Sequence, residues 1–232
     1  AASALLAMMT LMLVFFVWYP APLHRAVGVT EIFLIVLGVD VVIGPLLTFV
    51  VFKPGKKSLR FDLATIVCLQ LAAFFYGLWT VAEGRPAWLV FNADRFDLVQ
   101  AYQVDSRKLD QARPEYRSSS WFGPRWVAAH RPDDAEERKT ILFEALTTGI
   151  DVAQRPALYR PLSEEAASIK AKAKPLAELE RFNPSVEVAK LLAAWPEADA
   201  FLPMMCRVQA VTVLLNKESA RVIAVVDLNP WE

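Results

Sequence analysis

Three long apolar runs crowd the first 82 residues, at about Ala2–Tyr19, Ile32–Phe52 and Leu63–Ala82, and they constrain the fold more than any other feature. A membrane-crossing helix needs roughly 20 predominantly apolar residues. The second and third runs meet that length. The first is shorter and ends in Phe-Val-Trp-Tyr-Pro. Aromatic residues in that position suit a membrane–water interface better than a signal-peptide cleavage site, which needs small residues. The reading is therefore three transmembrane helices in residues 1–83, with residues beyond Ala1 expected upstream because no Met opens the chain.

Charge orients such a bundle. The loop Lys53-Pro-Gly-Lys-Lys-Ser-Leu-Arg60 carries four cations and no acid, whereas Pro20–Thr30 holds only His24 and Arg25. The excess of positive charge in cytoplasmic loops places Lys53–Arg60 in the cytoplasm. The N-terminus is then cytoplasmic, and residues 84–232 form a periplasmic domain beside an inner membrane. The lipid bilayer is the first expected partner.

One acid falls inside a predicted span. Asp40 sits in Gly38-Val-Asp-Val-Val-Ile-Gly-Pro45, where a carboxylate is costly and normally faces a bundle interior or a partner. Gly38 and Gly44 allow close backbone approach, and Pro45 frees a carbonyl one turn back. Gln70 in the third run is a candidate hydrogen-bond partner for Asp40. Three roles fit these residues: an internal polar clamp, a docking face for another protein's transmembrane helix, or a proton site. Glu31 and Asp62 read as helix-start charges.

The remainder reads as an α+β domain with a small antiparallel sheet. Trp88–Phe91 and Phe96–Val104 are rich in β-formers around the turn residues Asn92–Arg95, and a third strand is expected at Arg125–His130. Asp133–Gly149 predicts a helix, with acids in its first turn, Gly149 as its stop, and Ile141, Leu142, Ala145 and Leu146 as its apolar face. Ser163 to about Ala173, Pro175–Arg181 and Val186–Trp195 predict further helical segments. Arg207–Leu215 and Arg221–Asp227 flank Asn216–Ser219 as an antiparallel hairpin.

Chemistry is sparse. The 25 basic and 25 acidic residues balance, which leaves no nucleic-acid footprint. The two cysteines, Cys68 and Cys206, have no metal-type spacing, so neither a metal nor a cofactor is expected. No Gly-x-Ser-x-Gly, phosphate-loop or dinucleotide fingerprint occurs. His130 alone could serve a triad, and Asp133 and Asp134 are near it only in sequence; a surface or satisfied polar role suits it better. The acid pairs Asp94/Asp97 and Glu164/Glu165 suit turns and helix starts. The chain is therefore not expected to be an enzyme. Trp121, Phe122 and Trp126 cluster around Gly123-Pro124 and could plug the core, touch the membrane surface or contact a partner.

Several segments carry a family resemblance. Val29–Phe33, Val39–Thr48, Lys57–Leu63, Gly84–Phe91, Asp94–Phe96 and Ala224–Trp231 are similar to the type IV pilin accessory proteins (the TfpX/TfpZ group). The resemblance implies an inner-membrane factor that promotes pilus assembly or surface display of its cognate major pilin. It brings no catalytic residues. The expected contacts with pilin are Gly38, Asp40, Gly44, Pro45 and Gln70 for its apolar helix, and Trp121, Phe122 and Trp126 for its head. The sequence departs from the group at Cys206–Ala220, where the group contains more glycine. A membrane-anchored sensor and a small transporter subunit are the alternatives, although the cytoplasmic loop is too short to hold a signalling domain.

Overall fold

The computed structural model describes residues 8–51 and 58–231, with the backbone alone at 32, 36, 37 and 39–45. It divides into two units, Gly28–Gly84 and a unit built from Ala1–Val27 with Arg85–Glu232.

The unit Gly28–Gly84 is helical. It holds α3 (Val29–Val51) and α4 (Leu59–Glu83), which pack against each other. Glu31 and Asp62 stand in their first turns, where the positive end of the helix dipole favours an acid. Among the described residues one helix, α4, is long and apolar enough to cross a membrane. By itself that is a weak sign of membrane association.

The other unit begins with α1 (Met8–Trp18), a shorter apolar helix, followed by the single turn α2 (Leu23–Ala26). From Leu13 onward α1 is wound as a π-helix, closed where Tyr19 N–H donates to the Val14 carbonyl at 2.8 Å. Pro20 and Pro22 follow directly and cannot extend a helical ladder, because each lacks an N–H. The three transmembrane helices expected from the sequence are thus corrected: among the described residues one helix, α4, qualifies as a span, and the described part of the first run is a short helix. It also folds with the domain. Val208 N–H donates to the Ala26 carbonyl at 3.0 Å, and Arg25 reaches Asp227 at 3.4 Å.

The domain is built on β1 (Pro86–Asn92), β2 (Arg95–Gln100), β3 (Arg125–Ala129), β4 (Tyr159–Arg160), β5 (Lys174–Pro175), β6 (Ala200–Met205), β7 (Val211–Asn216) and β8 (Arg221–Val226). They form a curled, mixed half-barrel in the order β4-β3-β1-β2-β6-β7-β8, with β5 paired to β6. β1 runs parallel to β3, and β2 parallel to β6. The small antiparallel sheet expected from the sequence is corrected on both counts. Two causes stand out. Pro203 interrupts the run Ala200–Met205, and proline ordinarily argues against a central strand. The parallel pairings join strands that are not neighbours in sequence, so no local pattern announces them.

Strand alternation sorts the core. Trp88 and Val90 of β1 join Val127 of β3, Tyr116, Val152 and Tyr159 in one buried cluster. A second cluster gathers Leu179, Val188, Phe201, Leu214 and Val226 beneath α7 (Ser185–Leu192). α5 (Ala135–Thr148) starts where the Asp134 carboxylate accepts the Glu137 N–H at 2.8 Å, and ends at Gly149 with φ 73°. Its expected apolar face is only partly buried: Ile141 enters the first cluster, whereas Leu142 and Leu146 are exposed beside Phe143. α6 (Ala166–Lys172) follows a 3-10 turn from Leu162, and Leu176–Arg181 is also 3-10. β2 stops at Gln100, with a 3-10 turn over Ala101–Gln103 where strand was expected.

Candidate functional site

The aromatic cluster singled out in the sequence is built around Arg85, the residue that leads into β1. Arg85 is almost fully buried. Its Nη2 donates to Ser119 Oγ at 3.0 Å and its Nε to the Ser120 carbonyl at 3.2 Å. The guanidinium carbon lies 3.9 Å from the ring centroid of Trp121. A cation held over an indole face is attracted by the ring quadrupole, more strongly as water is excluded. The loop is closed locally where Phe122 N–H donates to Ser120 Oγ at 2.9 Å.

The same loop holds the N-terminal segment. Trp18 Nε1 donates to the Trp121 carbonyl at 3.0 Å, and the two rings sit 6.1 Å apart. Gly123 has φ +96°, and a Cβ placed there would lie 3.2 Å from the Val17 carbonyl oxygen. Only glycine accepts both the dihedral and the close approach.

Trp126 belongs to β3 and is held differently. It meets Phe96 edge-on at 5.1 Å, and Phe96 meets Phe91 at 5.6 Å, so it is part of a packed aromatic ladder. Phe122 is 89 % exposed, and Trp121 is about half exposed. Phe122, Gly123 and Trp126 line an open apolar groove of about 790 Å³ with Val17, Leu89 and the outer strand residues Val222–Val225. The fold therefore brings Trp121, Phe122 and Trp126 together on one surface and divides their roles. Trp121 clamps the N-terminal segment, Trp126 supports the groove floor, and Phe122 is offered to solvent. Arg85 and Trp18 complete the site. Sequence reasoning missed both, although the aromatic end of the first run was the available signal.

The residues expected to contact a membrane helix fare differently. Among the described residues, no atom lies within 4 Å of where a Cβ on Gly38 would stand. Gln70 is half-buried on α4. Asp40, Gly44 and Pro45 lie on the part of α3 given by backbone alone, so the contacts expected of them fall outside the described residues.

His130 hydrogen-bonds Glu165 through Nδ1 at 2.9 Å, and this bond holds the Glu165 carboxyl below its ordinary range. Cys68 and Cys206 are both free thiols, and burial pushes Cys206 up to about 12.

Fold and site together define a two-part protein: an apolar helical unit, and a curled-sheet domain with an aromatic face built on its own N-terminal segment. Its relatives give that class a family. The fimbrial assembly protein of serogroup I from Dichelobacter nodosus is 39% identical over 168 residues, which covers 72% of this chain and 65% of the relative. The serogroup E1 protein of that organism aligns with the same identity and coverage. The fimbrial assembly protein of serogroups C1 and C2 is 37% identical over 102 residues, covering 43% of this chain and 78% of the relative. The chain belongs to this family of fimbrial assembly proteins. It spans 65% of the length of the first two relatives. No family model and no solved structure matches it.

Proposed function

We propose that this protein is a non-enzymatic accessory factor of type IV pilus assembly, of the pilin accessory (TfpX/TfpZ) kind, which acts on its cognate major pilin at the bacterial inner membrane. The relationship to fimbrial assembly proteins over most of the chain is the observation that carries this reading. The helical unit holds the protein in the bilayer, with α4 as the one described helix long and apolar enough to cross it. The curled-sheet domain lies on the periplasmic side, a reading supported by the four cations of the loop Lys53–Arg60, which suit the cytoplasmic face.

A pilin subunit awaiting assembly has an apolar helix in lipid and a head in the periplasm. A helper with this layout meets both parts: α3, through Gly38 and Asp40, meets the helix, and Phe122 with the groove beside it meets the head. Exposed aromatic residues beside an apolar groove supply contact area at low entropic cost.

In-cell photocrosslinking from Phe122 and from Gly38, probed for the major pilin, tests this. Crosslinks at both positions are expected. Well-expressed protein that yields none from either, and whose loss leaves piliation unchanged, overturns the reading.

A further inference from the structure

One wall of the groove beside Phe122 is the edge of the sheet itself. Four successive residues of β8, Val222–Val225, line it. Side chains of a strand alternate between its two faces, so a hollow that meets four in a row lies against the strand's edge and not against one face. Among the described residues β8 pairs with β7 alone and ends the sheet, so the main-chain N–H and C=O groups on its outer side have no strand partner. Such an edge is a template for another strand, and edges are ordinarily blunted by charge or proline. Val222–Val226 contains neither. A bulge shifts the β7–β8 register at Ile223 and leaves Ala224–Val226 in regular pairing.

The rest of the groove narrows what can fill it. None of the side chains that line it is charged, and the Trp126 indole N–H is the one polar group among them. The remaining hydrogen-bonding groups there belong to the main chain. A hydrocarbon chain would cover them without pairing them, which is costly. A strand takes about 4.8 Å beside its neighbour, about 10 Å from face to face and about 3.3 Å per residue, so a groove of about 790 Å³ holds roughly one strand of five residues. A second copy of this chain, pairing through its own β8, would bring β7 with it and needs a wider opening. Charge marks one end. Arg221 is exposed and, among the described residues, enters no ion pair, whereas Asp227 already accepts from Gln209 at 2.7 Å and meets Arg25 at 3.4 Å. A complementary segment therefore carries an acid beside Arg221.

We infer that this groove receives an extended segment of the pilin head, which adds to β8 as one further strand of the half-barrel. This contact rests on the pilus assembly role proposed above and supplies its means. Main-chain hydrogen bonds to β8 give affinity, and alternate apolar side chains of the segment lie against Leu89, Phe122 and Trp126.

Hydrogen–deuterium exchange of the full chain in detergent, with and without the purified cognate major pilin, tests this. Saturating pilin is expected to slow exchange by about tenfold or more at the outward-facing amides of Val222–Val226, and to leave β7, which is paired on both sides, unchanged. Ala224→Lys sets a charge on the edge and is expected to weaken co-purification of pilin by about tenfold, whereas Leu146→Ser on the exposed face of α5 leaves it unchanged. Circular dichroism checks that both variants fold, and exchange in the parent protein decides the matter even where Ala224→Lys does not. Pilin that binds without slowing exchange in β8 overturns the added strand and leaves the assembly role standing. Pilin that does not bind at all overturns both. Edge amides that are already slow without pilin, and that speed up on dilution, place a second copy in the groove and overturn the pilin strand.

Discussion

The guanidinium of Arg85 stacks 3.9 Å over Trp121 and donates to the Ser120 carbonyl, while the Trp121 carbonyl accepts the Trp18 indole N–H at 3.0 Å. One buried cation thereby fixes the loop that holds the N-terminal segment. Arg85→Met keeps the aliphatic stem but leaves the Ser119 and Ser120 oxygens unmatched, and it is expected to cost about 2–4 kcal/mol. Trp121→Phe keeps an aromatic face and is expected to cost about 1 kcal/mol. Thermal melting in detergent compares the two. Equal losses would show that the stacked cation contributes nothing beyond packing.

Gly123 is the steric gate of the same contact. Gly123→Ala places a methyl 3.2 Å from the Val17 carbonyl at a φ of +96°. The expected cost is about 1–3 kcal/mol, and the N-terminal segment should loosen from the loop. Limited proteolysis reads this as faster cleavage around Trp18–Leu23. An unchanged cleavage pattern would contradict the gate.

Two alanines hold left-handed backbone, Ala93 at φ 62° and Ala220 at φ 54°. Ala93 turns β1 into β2, and Ala220 turns β7 into β8. An L-residue with a Cβ is strained there and glycine is not. Ala93→Gly and Ala220→Gly are each expected to raise stability by about 0.5–1 kcal/mol, and additively, since the turns are separate. Melting of the single and double variants measures both effects.

α5 offers an internal contrast. Ile141 is buried in the core cluster, whereas Leu146 on the same helix is 78% exposed. Ile141→Ala is expected to cost about 2–4 kcal/mol, and Leu146→Ser to stay within about 0.5 kcal/mol of the parent. Comparable losses would mean that the outer face of α5 is covered.

Asp105 sets an acid dependence. The hydrogen bond from the Arg107 side chain holds its carboxyl below the usual range, so the folded chain binds this proton less readily than the unfolded chain. Its stabilisation is complete above the ordinary carboxylate range and is lost as pH falls through the lowered value. Asp105→Asn is expected to cost about 1–2 kcal/mol at neutral pH, with the gap from the parent closing below about pH 4. Unfolding midpoints against pH check the sign.

How much of this was legible in the sequence differed by element. The C-terminal stop of α5 was readable because Gly149 acts on backbone groups within one turn, whereas Asp134, taken as part of the first turn, is its N-cap. The β7–β8 hairpin was readable because its β-branched strands flank Asn216, whose side chain accepts from Ser219 N–H at 3.0 Å. The departure from the glycine-richer pattern near Ala220 was visible too, and the structure gives its meaning as a positive φ. β6 was hidden by Pro203, which sits opposite Thr212 of β7. The first apolar run was read as a span from its length alone, whereas its described part is the short helix Met8–Trp18. The reading could not foresee that its last turns widen into a π-helix and lock onto the domain through Trp18.

The sequence by itself determined the local elements and where apolar surface is concentrated, since turns, caps and strand alternation depend on sterics and hydrogen bonds a few residues apart. Only the tertiary structure decided that β1 pairs with β3, that β2 pairs with β6, and that residues 8–27 return to the domain. It also decided that Arg85, Trp18 and Trp121 meet. Such contacts join residues as far as 202 positions apart, as Arg25 and Asp227 are. Many pairings would bury the same apolar faces, and long-range packing selects the one that also satisfies the buried cation.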